Sequence, residues 1–182
     1  MLDTVFGLPT HALVVHAVVI LLPLGALGAA AIAVYPPWRR RYGLLVAAVT
    51  AIGVISVPIA THSGQHLYDR KSAQFGPGSD LEAGRMESHR NLGHQLWPWA
   101  VLLLIGVLLV VGVTYAVRRD AGSVTGGTAP ASGPPPWTRW AGYLGIAASL
   151  VGAVLSIVMV VRIGHAGSKA AWTSVTSASQ QR

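Results

Sequence analysis

Seven histidines carry most of the chemistry this chain can offer, and their positions are ordered. His11 and His16 open one apolar stretch, and His62 and His66 close a second. His89 and His94 open a third, and His165 closes a fourth. Neutral imidazole nitrogen ligates zinc, copper and iron, and imidazoles hold haem iron from its axial positions. If the four stretches are antiparallel helices, all seven histidines fall at one end. At a rise of ~1.5 Å per residue, His16 lies about 7–8 Å deeper than His11, as His94 does below His89. His62 lies about 6 Å below His66 on the same scale. This predicts a deeper tier of His16, His62 and His94, and a shallower tier of His11, His66, His89 and His165.

Rotation sorts them further. The HSGQH segment, residues 62–66, has i,i+4 spacing and puts both rings on one helix face. The i,i+5 pairs His11/His16 and His89/His94 are separated by about 140° around their helices. One member of each such pair therefore faces the bundle while the other faces out. Polar groups at membrane depth usually turn inward, so His16 and His94 are the expected inward members. Pro98 has no N–H to give the carbonyl of His94, so a kink there can adjust that ring's aim, or the proline simply bends the helix. Pro58 precedes His62 by the same spacing.

Three functions compete for this cluster. The first is a haem b protein for electron transfer, with His16 and His94 as axial ligands, His62 as the substitute, and Arg90 or Arg162 available to the propionates. A quinone or an external redox protein would be its partner. The second is a non-haem zinc, copper or iron site drawn from all seven histidines, with Glu87 and Asp69 nearby. The third is a cofactor-free structural, partner-binding or pH-sensing membrane protein. No HExxH motif, phosphate loop, nucleotide fingerprint or nucleophile–base–acid set is present. No catalytic residue is assigned, and an electron carrier or binding protein fits better than a self-contained enzyme.

The elements that must position these rings follow from composition. Hydrophobic residues make up 52% and charged residues only 10% of the 182 residues, against about 25% charged in soluble domains. Residues 12–35, 42–60, 96–117 and 141–161 are free of charge, each close to the ~20 residues a membrane-crossing helix needs. The expectation is an all-α, four-helix transmembrane bundle in a single domain, residues 1–182, without an internal repeat. Its helices are expected at about 10–35, 42–66, 89–117 and 139–163. The linker is then 118–138, the outer loop 67–88 and the outer tail 164–182, with Trp172 on a short surface helix. Cysteine is absent, which excludes disulfides, thiolate metal sites and cysteine-held clusters.

The net charge of +7 is scattered over helix ends, so it points to membrane orientation and not to nucleic acid. Arg39, Arg40, Arg41, Arg118, Arg119 and Arg139 lie in two short connections with Asp120 as their one acid. Those connections are expected in the cytoplasm and both termini outside, in a multi-pass protein of the cell membrane. The first ten residues carry Asp3 and no Lys or Arg, which reads as a retained first helix and not a signal peptide. Trp97, Trp99, Trp137 and Trp140 sit at helix ends as interfacial anchors. The small-residue runs GALGAAA and GYLGIAASLVGA suit close helix packing within the chain, with oligomerisation as the alternative.

The opening GLPTHALVVHAVVILLPLGAL resembles the first helix of the bacterial membrane family called domain of unknown function 2231. The matching residues are Gly7, Leu8, Pro9, His11 and His16, with Ala12 where the family usually has proline. A histidine heading the family's third helix matches His89 or His94, and the ending VVRIGHAGSKAAW is similar to the close of actinobacterial members. The resemblance implies the whole four-helix plan. Some members are joined to Rieske-type or cytochrome domains, which implies membrane electron transfer by association.

Overall fold

The computed structural model describes residues 4–5, 8–72, 80–122 and 135–180, with side chains over 11–66, 68–69, 83–119 and 135–169. Four helices dominate it: α1 (Thr10–Val34), α2 (Pro36–Ser72), α3 (Asp80–Gly122) and α4 (Pro136–Gln180). Ahead of α1, two two-residue strands, β1 (Thr4–Val5) and β2 (Leu8–Pro9), pair antiparallel, Thr4 opposite Pro9.

Each helix contains a span long and apolar enough to cross a membrane: His11–Val34, Pro36–His66, Ala83–Arg119 and Pro136–Lys169. The outward faces are as greasy as the interior. Leu27, Leu44, Leu45, Leu144 and Val154 are each more than 60% exposed. Such an apolar exterior belongs in lipid, and a helix satisfies its own backbone there. The chain is a multi-pass membrane bundle.

The helices run up, down, up and down around a square, with α1 closing against α4. The core on the inner faces includes Leu22, Ile32, Val57, Leu103 and Val107, all nearly solvent-free. Small residues let the backbones meet. A side chain at Gly25 would strike Thr50, one at Gly28 would strike Val46, and one at Gly106 would strike the backbone of Ser149. At the opposite end from the histidines, Arg39 donates from Nε to the Ile32 carbonyl and from Nη2 to the Ala33 carbonyl, both at 2.6 Å. Those are orphan carbonyls of the α1 C-terminus, and a guanidinium there also suits the helix dipole.

One expectation needs correction. Three helices run further than the apolar pattern suggested. Much of the expected outer loop and nearly all of the expected outer tail is helical, because hydropathy marks where lipid ends and not where hydrogen bonding ends. Residues 73–79 and 123–134, which include the Gly-Pro and Pro-rich segments, lie outside the described residues.

Some residues also recur at fixed spacing between the two hairpins. A shift of 78 residues carries His11 onto His89, His16 onto His94 and Gly28 onto Gly106. A shift of 103 residues carries Val46 onto Ser149, Ala60 onto Ile163, His62 onto His165 and Gly64 onto Gly167. Contacts are preserved under these shifts: Gly28 meets Val46 as Gly106 meets Ser149. The α1–α2 and α3–α4 hairpins therefore carry matching residues and matching contacts at these positions. The sequence hides this because the lipid-facing residues differ freely and the two connections differ in length.

Candidate functional site

The histidine end of the bundle contains a cavity of about 360 Å³ lined by all four helices. That lies within the roughly 300–1,000 Å³ of ordinary ligand pockets. Its walls are mostly aliphatic, with Val15 and Val18 from α1, Val57 from α2, Leu96 from α3 and Val160 from α4. Into this apolar lining the protein places two imidazoles, His11 and His89.

Both rings are held the same way. His11 Nδ1–H donates to the Ala60 carbonyl at 3.0 Å, across to α2, with Ser63 Oγ at 3.4 Å. His89 Nδ1–H donates to the Ile163 carbonyl at 3.1 Å, across to α4. A carbonyl only accepts, so each bond puts the proton on Nδ1 and leaves Nε2 with its lone pair. Neither Nε2 has a hydrogen-bond partner among the described residues. This is how proteins prepare imidazole as a ligand: an outer-shell acceptor fixes the tautomer and the ring's orientation. Room for each ring comes from a missing side chain one turn further along. A Cβ at Gly64 would lie 2.8 Å from His11 Cε1, and one at Gly167 would lie 3.1 Å from His89 Cε1.

The expected inward pair is therefore corrected. His16 is exposed and its Nδ1–H bonds the Ala12 carbonyl of its own helix at 2.6 Å. His94 is exposed as well. The i,i+5 argument held, with one member of each pair facing in and the other out, but depth chose the wrong member. Rotation is decided by the packing stripe His11, Val15, Val18, Leu22, Ala26 and Ala29, spaced three or four apart. On α3 the stripe is His89, Gly93, Leu96, Ala100, Leu103 and Val107. His16 falls instead among the lipid-facing Leu13, Ile20 and Leu24, and His94 among Trp97, Ile105 and Leu108. The glycine and alanine positions of those stripes, extended back to the histidines, were the usable signal.

The other candidates lie outside the cavity lining. His62 and His66 are exposed on α2 and His165 is exposed on α4. Glu87 and Asp69 are exposed, and Asp69 accepts from Gln65 Nε2 at 2.9 Å. Arg162 is exposed too. The deeper tier of His16, His62 and His94 does not converge: among the described residues no three His, Asp or Glu side chains are grouped to hold a metal ion.

Arg90 is the exception among the described charged residues, because it lines the cavity. Its guanidinium stands 5.2 Å from the centre of the Tyr68 ring and its Nη1 donates to Gln65 Oε1 at 3.1 Å. Its Nε is buried with no partner among the described residues. A buried donor without an acceptor costs about 1–3 kcal/mol, and an acceptor group on a ligand would relieve it. The cavity thus offers an apolar body, two basic ring nitrogens and one cation.

No curated protein and no solved structure matches the chain. The model of the family described as predicted membrane protein (DUF2231) matches residues 7–180. With that match over nearly its whole length, the chain belongs to this family of membrane proteins.

Proposed function

We propose that the protein is a membrane-embedded haem b carrier of electrons, in which His11 and His89 would hold the haem iron. The observation that carries this is the pair of Nδ1-anchored imidazoles lining one apolar cavity from the first and third helices. Bound haem would supply a one-electron couple. The chain's own residues hold the two ring nitrogens in the ligating tautomer, exclude water with the valine and leucine walls, and present Arg90 to an anionic edge such as a propionate. Two imidazoles in an apolar cavity, with no group of three metal-ligating side chains among the described residues, would suit a haem better than a structural zinc or catalytic iron site, which usually takes three or four protein ligands. Electrons would be exchanged at the histidine end with a quinone or an external redox protein.

The test is a visible spectrum of the full chain, expressed with haem supplied and purified in mild detergent. A Soret band that shifts on dithionite reduction is expected, and it should be lost in both His11→Ala and His89→Ala. A flat visible spectrum from folded, haem-replete protein would sink the proposal. Stoichiometric metal in such a sample would favour the non-haem site, and absence of metal the cofactor-free reading.

A further inference from the structure

Outside the cavity, one pair of histidines lies close together on a single helix face. His62 and His66 are one turn apart on α2, both exposed, with ring centroids 4.7 Å apart and planes at 87°. Their Nε2 atoms approach to 3.3 Å. Neither ring has another hydrogen-bond partner among the described residues, so this approach is the one polar contact either makes there. Metal–nitrogen bonds of 2.0–2.1 Å separate two neighbouring ligand nitrogens by about 2.9 Å in a square-planar ion and about 3.3 Å in a tetrahedral one. The spacing between the two Nε2 atoms is therefore at or within a small ring rotation of the bite of either ion. The i,i+4 arrangement is also the one by which HExxH helices present two imidazoles to zinc. The pair lies where an aqueous ion can reach it, since both rings are exposed and the charged, exposed Asp69 follows His66 within a turn.

The repeat supplies an internal control. The equivalent positions on α4 are His165 and Lys169, so the second hairpin has one imidazole where the first has two. A chelate can form on α2 and not on α4.

We propose that His62 and His66 bind a borderline divalent transition-metal ion, copper(II) ahead of zinc(II), through their two Nε2 atoms, with water in the remaining positions. This site is separate from the cavity and does not depend on haem. The test titrates the full chain, in detergent and free of any polyhistidine tag, with copper(II), followed by electron paramagnetic resonance, and then with zinc(II) in competition. One equivalent with hyperfine structure from two imidazole nitrogens is expected. His62→Ala and His66→Ala should each weaken binding by at least about tenfold and leave one nitrogen in the spectrum. Both positions are exposed, so both variants should unfold like the parent. His165→Ala and the His11→Ala/His89→Ala double variant should bind copper as the parent does, whether or not the cavity takes haem. Copper affinity unchanged in both α2 variants, or lost equally in His165→Ala, would overturn the proposal.

Discussion

His11 and His89 occupy the same place in the two halves of the bundle. Each reaches from the first helix of its hairpin to a carbonyl of the second, Ala60 at 3.0 Å and Ile163 at 3.1 Å. Each lies against the glycine four residues beyond that carbonyl, Gly64 or Gly167. Each hairpin therefore brings one imidazole to a shared cavity.

Because the two sites are equivalent, His11→Ala and His89→Ala should have nearly equal effects on haem binding. His16→Ala and His94→Ala should leave the Soret band in place, since both rings are on the outside. Difference spectra of the four variants check this. Loss of the band in the outer pair with retention in the inner pair would restore the assignment suggested by depth.

Gly64→Ala should disturb the site while sparing the fold. The new methyl meets His11 Cε1 at 2.8 Å, so the ring must shift from its carbonyl. That hydrogen bond is worth about 0.5–1.5 kcal/mol, while alanine for glycine in a helix returns about 0.8–1 kcal/mol. Net stability should change by less than about 1 kcal/mol, yet haem absorbance should fall. Gly167→Ala should act in the same direction and less strongly, since its closest contact is 3.1 Å. Gly164→Ala, with nothing within 4 Å, should leave the spectrum unchanged. Parallel melting curves and spectra separate the two effects.

Gly106→Ala should destabilise the bundle itself. Its Cβ would enter the backbone of Ser149, which cannot swing aside as a side chain can. Overpacking of this kind costs about 1–3 kcal/mol or more. Gly112→Ala on the same helix meets nothing within 4 Å and should be neutral or stabilising. Unfolding by sodium dodecyl sulfate in mixed micelles measures both, and equal stability of the two variants would count against the close α3–α4 approach.

Arg90→Ala should weaken haem binding and lower the midpoint potential, because removing a nearby positive charge favours the oxidised iron. Each tenfold change in the redox equilibrium is about 59 mV for one electron. Arg90→Lys should recover much of the potential, since charge is kept, and less of the affinity, since the buried Nε donor is gone. Potentiometric titration of both variants distinguishes charge from hydrogen bonding.

Composition and the charge-free runs determined the four spans and the all-α bundle, because lipid requires a backbone that satisfies itself. Alternating helix direction determined that every histidine lies at one end. The i,i+4 spacing determined that His62 and His66 share a face. Only the tertiary structure decided which histidines look inward. A helix that is apolar all round has no polar face to mark its outside, so periodicity of hydropathy says little about its rotation. Rotation was set instead where Gly25 and Gly106 let backbones come close and Gly28 admits the Val46 side chain, and that packing turned His11 and His89 to the cavity while leaving His16 and His94 in lipid-facing rows.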